Sequence, residues 1–229
     1  KSVDQELGSY IENTGLKTIG FDSEYTPYGG ITEKELVRML HVFWANLGIE
    51  KVSFPPIIAF GENAAFPHAI PTNRSLKKGD VVLIDIGVCY EGYCSDMTRT
   101  VAFGATPEQQ LLDGYVAVAE AQRAAIEFCR AGVPCRDVHK EAVRILRAHG
   151  MEKAFIHGLG HGVGREVHEY PRLSPFSDAT LQLNMAVTVE PGVYFPGVGG
   201  IRIEDTIMIG VNENLNLTNR KVSSEIIII

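Results

Sequence analysis

Cysteine is scarce in this chain: four residues among 229, at positions 89, 94, 129 and 135, with no CxxC pair. That density does not build a disulfide scaffold, so the thiols are expected to be reduced and half-buried in a cytoplasmic protein. Long apolar runs are missing too. None approaches the roughly 20 residues needed to span a bilayer, and the N-terminus lacks the apolar core of a secretory signal, so no membrane partner is expected. There is also no excess of basic charge. With 21 Lys and Arg against 28 Asp and Glu, the net charge is −7, which argues against a phosphate-binding surface and hence against nucleic acid as a partner. What remains is an ordinary globular composition, 45% hydrophobic and 21% charged, long enough for one large domain or two small ones.

The most unusual stretch is Phe155 to Pro171, FIHGLGHGVGREVHEYP, with three histidines (His157, His161, His168) set among glycines. Glycine loses the most conformational freedom on folding, so such a run marks tight backbone geometry or close approach to a ligand. Neutral imidazole is the commonest metal ligand and a natural proton carrier near neutral pH. The plain alternative is a flexible surface loop.

Residues 1–28 differ from the rest. Gln5 to Thr14 reads as a short helix, Leu16 to Phe21 as a strand and Asp22 to Gly30 as a turn-rich linker. This segment is too short for a core of its own, and is expected to be the remnant of an N-terminal domain plus linker. Residues 29–229 form the main domain. Thr32 and Glu35 make a capping box ahead of Leu36, Met39, Leu40, Phe43 and Leu47 at helical spacing, closed by Gly48. A second helix is predicted from Thr106-Pro107, with Gln109 completing another box, to about Arg130. A third runs from Arg136 to Ala148. Val81–Val88, Ser95–Phe103, Met185–Val193 and Ile201–Ile209 read as strands, interrupted by Asp85, Asp96, Glu190 and Glu204 respectively, and Ile226 to Ile229 as a strand that needs covering. Helices mixed with antiparallel hairpins make the fold class α+β.

Two of these hairpins resemble each other. Asp85 to Thr98 reads DIGVCYEGYCSDMT, and Glu190 to Thr206 reads EPGVYFPGVGGIRIEDT. Each opens with an acid, has Gly two residues later, turns through glycine and returns an acid shortly before Thr, as in a duplicated unit. A first turn centred between Tyr90 and Glu91 sets Asp85 opposite Asp96, and a second centred at Gly197 sets Glu190 opposite Glu204. Opposed side chains have Cβ atoms about 4.5–5.5 Å apart. Carboxylates that close inside a strand core repel and lose hydration, and need a cation or a shared proton. With His161 they suit a pair of divalent cations, and oxygen-rich ligation with one imidazole favours Mn, Co, Fe or Zn. Taken singly, each acid reads more readily as a strand-end cap or a salt-bridge partner; the two pairs together with the histidine-glycine run favour the metal site.

The ordered set Asp85, Asp96, His161, Glu190, Glu204 resembles the ligand set of the pita-bread metallopeptidases, which include methionine aminopeptidases, Xaa-Pro aminopeptidases and Xaa-Pro dipeptidases (prolidases). The resemblance covers roughly residues 29–229. GENAAFPHAIPT, GHGVGREVHEYPR and GGIRIEDT look most like the proline-directed members. It implies a pseudo-twofold antiparallel sheet flanked by helices, here with a truncated N-terminal extension, and two divalent metal ions, Mn or Co ahead of Zn or Fe. It further implies short proline-containing peptides as substrates, hydrolysed by a metal-bridging hydroxide, and leaves room for a homodimer. Carried over by resemblance, Asp85 binds one metal, Asp96 and Glu204 span both, and His161 and Glu190 complete the shell, with Glu190 also moving the proton to the leaving nitrogen. His68 and His168 correspond to histidines that contact the scissile carbonyl or the tetrahedral intermediate. Arg172 and Arg202 are candidates for the substrate's C-terminal carboxylate, because guanidinium suits bidentate recognition. His157 is a weaker substrate-side candidate, and Tyr170 and Tyr194 are candidates for a proline pocket. The resemblance is closest to the Xaa-Pro dipeptidases, the leading reading. Xaa-Pro aminopeptidase and methionine aminopeptidase are the competing enzyme readings, and a catalytically silent pita-bread binding protein the competing non-enzyme one.

Overall fold

The structure is a computed structural model describing residues 30–218 and 222–229. The helix expected at Gln5–Thr14, the strand at Leu16–Phe21 and the division after residue 28 lie outside the described residues.

The first capping box forms as the sequence predicts. Helix α1, Glu33–Asn46, starts at Thr32, whose side chain accepts the Glu35 N–H while the Glu35 carboxylate accepts the Thr32 N–H at 2.7 Å. Gly48 follows at φ 75°, a left-handed stop. Leu36 and Trp44 face the core, while Met39 is 54% exposed and leaves the expected apolar stripe. The second box does not form. Helix α2, Gln109–Phe128, has Glu108 as its first cap with no side-chain bond, because Gln109 turns its amide to Asp113 one turn along. Helix α3, Cys135–Ala148, packs on α2 and buries Val138, Ala142 and Leu146.

The strands fall into two similar halves. In the first, β2 (Ile57–Phe60), β3 (Val81–Ile86) and β6 (Met97–Ala102) pair antiparallel in the order β2-β3-β6. The ribbon above them adds β1 (Lys51–Val52), β4 (Val88–Tyr90) and β5 (Tyr93–Cys94) in the order β1-β4-β5. In the second half, β7 (Gly160–Gly162), β9 (Ala186–Val189) and β12 (Asp205–Met208) are the centre of a five-stranded sheet. Its edges are β8 (Glu169–Leu173) and β13 (Leu215–Asn216), and β10 (Gly192–Phe195) pairs β11 (Gly199–Arg202) beyond it. Each long hairpin thus breaks midway, at Asp85-Ile86-Gly87 and at Glu190-Pro191-Gly192, and the break carries the acid. Helices α2 and α3 cover the second half and α1 the first, over separate apolar clusters centred on Ile207, Leu146 and Leu181 and on Phe60, Ile58 and Leu36.

Hairpin register decides which acids face each other. In the second hairpin, Gly192 pairs Arg202 on one side of the break and Val189 pairs Asp205 on the other. One register therefore runs through, and Glu190 stands opposite Glu204 as expected. The first hairpin corrects the expectation. Its turn is Glu91-Gly92, both residues at positive φ (49° and 83°), the two-residue geometry that matches strand twist. Asp85 consequently pairs with Thr98, and Ile86 with Met97. Asp96 lies two residues away, diagonal to Asp85 on the same face.

Glycine in the histidine-rich run serves backbone packing. A Cβ on Gly160 would lie 2.0 Å from the Thr188 carbonyl oxygen, and one on Gly162 2.4 Å from that of Tyr170, so only glycine lets β7 sit between β8 and β9. The terminal isoleucines form one parallel bridge, Ala102 to Ile228, rather than a covered strand, and Ile227, Ile228 and Ile229 stay about half exposed.

Candidate metal centre

Five side chains converge where the two broken hairpins meet β7. Asp85 sits at the end of β3, Asp96 just before β6, Glu190 just after β9, Glu204 just before β12 and His161 mid-way along β7. All five line one cavity of about 370 Å³. Asp96, His161 and Glu204 present donor atoms all within 4.8 Å of one another. His161 Nε2 is 3.6 Å from Asp96 Oδ2 and 3.5 Å from Glu190 Oε1. The imidazole is oriented by its other nitrogen, Nδ1, which is 3.0 Å from the Gly162 carbonyl. A proton on Nδ1 leaves the Nε2 lone pair aimed at the carboxylates.

The electrostatics of this cluster are unfavourable without a cation. Burial first, then the charges of Asp85 and Glu190, push the Asp96 carboxyl up to about 9. Burial and Asp85 push Glu190 up to about 8, against the pull of Arg202. Glu204, only 1% exposed, is raised well above the usual carboxylate range by burial and then by Asp96. His161 is lowered to about 4, chiefly by burial, and so stays neutral. Asp85 Oδ1 is buried with no hydrogen-bond partner. A buried oxygen left unpaired is costly, and an anionic oxygen, three further carboxylates and a neutral imidazole are the donor set that hard to borderline divalent cations take. The residues fit a dinuclear centre.

The other candidate residues divide. His68, on the loop between β2 and β3, and His168, before β8, are exposed and line the same cavity. The His168 ring stands edge-on to His161, with centroids 4.3 Å apart. Arg172 is exposed on β8, directly opposite His161, and is not among the cavity-lining residues.

Arg202 is placed differently from the expectation that it receives a substrate carboxylate. It is 2% exposed, with Nη2 on Asp85 Oδ2, Nη1 on the Tyr194 hydroxyl and the Pro67 carbonyl, and Nε on the Thr98 hydroxyl. Arg202 lines the cavity, but four of its five N–H donors are engaged inside the protein, one of them on Asp85, so its first role is to support that carboxylate. His157 also lines the cavity, with both ring nitrogens hydrogen-bonded within the protein. Nδ1 meets the Gly158 carbonyl and Nε2 the Tyr194 hydroxyl, and the ring packs edge-on against Phe155. Burial lowers it to about 4. Tyr194, 5% exposed, is the link between His157 and Arg202 and does not line the cavity, and Tyr170 stands 69% exposed.

Three supporting groups escaped the sequence reading. Thr98 donates its hydroxyl to Glu204 Oε2 at 2.6 Å, and Thr188 bonds the His161 N–H at 3.0 Å and reaches Glu190 Oε1 at 3.4 Å. Each lies two residues from a ligand, hence on the same strand face, a spacing readable in the sequence. Glu33 is fully buried and accepts hydrogen bonds from Phe60, Asn63 and Thr72. Its only sequence signal is a position inside a capping box, which conceals it.

Comparison with known proteins agrees with this architecture. The Xaa-Pro dipeptidase of Pyrococcus furiosus is 40% identical over 189 residues, which is 82% of this chain and 54% of that protein. The solved Xaa-Pro dipeptidase from Bacillus anthracis superposes with a TM-score of 0.84 at 38% identity, over 88% of this chain and 56% of that one. The X-Pro aminopeptidase from Thermotoga maritima MSB8 does so with a TM-score of 0.84 at 33% identity, over 100% of this chain and 61% of that one. The fold is the pita-bread fold. Residues 10–210 match metallopeptidase family M24, and the chain belongs to that family. It spans about half the length of the curated relatives it matches. Among the described residues, no helix is long and apolar enough to cross a membrane.

Proposed function

We propose that this chain carries the catalytic centre of a metal-dependent peptidase cleaving Xaa-Pro bonds, with dipeptides as the preferred substrates. One observation carries the reading. Four carboxylates and a neutral histidine from both halves of the fold wall one cavity, with one carboxylate oxygen buried and unpartnered. Asp85, Asp96, His161, Glu190 and Glu204 would hold two divalent cations, Mn or Co ahead of Zn or Fe. When bound, such a pair supplies Lewis-acid polarisation of the scissile carbonyl and a water activated near neutral pH.

The chain's own groups do the rest. Glu190 Oε1 lies beside His161 Nε2 and the Thr188 hydroxyl, and with 18% of its side chain exposed toward the cavity it is placed to pass a proton to the leaving nitrogen. His68 and His168 both line the cavity and can donate to the carbonyl oxygen as it becomes anionic. Pro55, Pro56, Ile57 and Pro67 give part of the cavity an apolar lining suited to a proline ring. Arg202 is the guanidinium that lines the cavity, and Arg172, exposed on β8 opposite His161, is the other candidate to attract the substrate's carboxylate. The names of the Pyrococcus and Bacillus relatives support the dipeptidase preference.

The test is a panel of Xaa-Pro dipeptides, longer Xaa-Pro peptides and Met-Xaa peptides, assayed on metal-free protein and after addition of Mn or Co. Metal-dependent turnover highest on the Xaa-Pro dipeptides is expected. Turnover confined to Met-Xaa peptides would overturn the substrate assignment, and metal-independent turnover the centre itself.

A further inference from the structure

The first hairpin contains a pair of thiols that the peptidase reading does not use. Cys89 on β4 and Cys94 on β5 are cross-strand partners. They flank the Tyr90–Tyr93 pair that closes the two-residue turn, and the pairing alternates from there. The Ser95 N–H bonds the Val88 carbonyl at 2.9 Å, whereas the Cys94 N–H turns outward to the Gly164 carbonyl at 2.7 Å. Cys89 and Cys94 therefore form a non-hydrogen-bonded pair, the arrangement that brings opposed side chains closest, with Cα atoms about 4.5 Å apart. That spacing lies inside the range of about 4.4–6.8 Å compatible with a disulfide. The two sulfurs are already in contact at 2.7 Å.

Their surroundings separate them from the other two cysteines. Cys129 and Cys135 are fully buried, on the capping residue of α2 and the first turn of α3. Cys89 and Cys94 are only half-buried, beside a turn whose tyrosines are 45% and 65% exposed. A small reagent can reach them. The pair is also tied to the centre: Cys94 Sγ lies 3.6 Å from the Arg165 carbonyl, in the segment between His161 and His168, and Asp96 follows two residues on.

We propose that Cys89 and Cys94 are a redox-modification site, a dithiol that closes reversibly to a cross-strand disulfide by exchange with a low-molecular-weight disulfide. The thiolate of one cysteine attacks a sulfur of the reagent, forms a mixed disulfide and expels one reagent thiolate. The second cysteine attacks the protein-bound sulfur, forms the Cys89–Cys94 bond and expels the other. The protein loses two electrons and two protons, which leave with two molecules of reduced reagent. The hairpin is set up for the second step because the partners need no backbone movement to meet.

The test uses the full chain and oxidised glutathione in excess, read by intact mass, thiol titration and peptide mapping. The parent is expected to lose two of its four thiols, to fall in mass by two hydrogens, to retain no glutathione and to yield a peptide linking Cys89 to Cys94. Dithiothreitol should restore the starting mass. Cys94→Ser should instead stop with one glutathione on Cys89, since the resolving sulfur is gone. Glutathione retained on the parent, a cross-link through Cys129 or Cys135, or four thiols surviving the treatment would each overturn the proposal. None of these readouts depends on peptidase activity.

Discussion

Arg202 and Asp85 form a buried ion pair, Nη2 to Oδ2 at 2.5 Å, with 3% and 10% of their side chains exposed. The guanidinium grips one oxygen of a carboxylate whose other oxygen has no hydrogen-bond partner. In the duplicated hairpin pattern, Arg202 stands opposite Gly192, the position that Asp96 takes relative to Gly87 in the first hairpin. The sequence repeat matches Asp96 to Glu204, each two residues before a threonine, so the two hairpins keep the same ligand but in different registers.

Arg202→Met is therefore expected to weaken all substrates alike. Removing one partner leaves Asp85 buried and unpaired, a loss of about 3–5 kcal/mol for such pairs, and outer partners of metal ligands typically set about 10–100-fold in metal affinity. Comparing Ala-Pro, Ala-Pro-amide and a longer Ala-Pro peptide separates the alternatives. Equal losses in kcat/KM accompany a support role, and a loss confined to Ala-Pro would return Arg202 to carboxylate binding.

Asp96→Asn and Glu204→Gln are each expected to abolish metal-dependent hydrolysis in a folded protein, because an amide is a poorer ligand and the anionic cage is broken. Two bound ions and normal turnover in either variant would remove these residues from the centre.

The same carboxylates make metal-free stability depend on pH. A folded Asp96 pushed up to about 9 binds a proton that an unfolded Asp, near 3.9, releases. Its stabilising contribution is full below about pH 4 and is lost as pH rises toward 9, at up to about 1.4 kcal/mol per pH unit for one group. Metal-free parent should therefore melt at progressively lower temperature from pH 5 to pH 9. Metal-free Asp96→Asn, which cannot ionise there, should change less and be the more stable of the two at pH 8. Melting curves in chelator decide it, and a parent curve flat across that range sinks the idea.

His68→Ala and His168→Ala should retain the metals and lose turnover by roughly 10²–10³, the scale for one donor to a developing oxyanion. Both line the cavity without belonging to the close Asp96, His161 and Glu204 cluster. Metal loss in either variant, measured on the purified protein, would move that histidine into the ligand set.

The parts of this architecture that were legible in the sequence are those where a charge interrupts an apolar strand. Asp85 in VVLIDIGV and Glu190 in MAVTVEPGV could be picked out because the two acids recur in paired hairpins beside the histidine-glycine run, where a cap or salt bridge no longer explains them all together. The second hairpin register followed from Gly197, which takes the left-handed φ of 77° its turn needs. The first did not, because Glu91 adopts positive φ without being the Asn, Asp or Gly that usually announces such a turn, and the missed residue displaced Asp96 from its assigned partner. Arg202 lies two residues before Glu204 and so on the same strand face, but a face does not say whether a long side chain points out to a ligand or back to a neighbour. The Thr106-Pro107 box failed for a related reason. Capping patterns specify who can bond, and Gln109 found Asp113 first.

Glu33 carries the last expectation. Its carboxylate is fully buried and takes five hydrogen-bond contacts. Oε1 accepts from the Phe60 N–H at 2.7 Å and from Asn63, while Oε2 accepts from Asn63 and from both the N–H and hydroxyl of Thr72, the latter two at 2.7 Å. These partners bracket the segment from Phe60 to Thr72 that brings Pro67 and His68 to the cavity. A glutamine offers only one acceptor oxygen, and its amide nitrogen would confront a donor already aimed at it. Glu33→Gln thus leaves at least one buried donor unsatisfied, at roughly 1–3 kcal/mol for each, and frees the end of the loop that holds His68. Stability should fall by that amount or more, and turnover should fall through kcat with the metal content unchanged. Glu35→Gln is the control from the same turn of α1: glutamine also completes a capping box, so it should be nearly neutral. Urea denaturation gives the first quantity, and metal analysis with steady-state kinetics the second. A Glu33→Gln protein as stable and as active as Glu35→Gln would show that the clamp does not position His68.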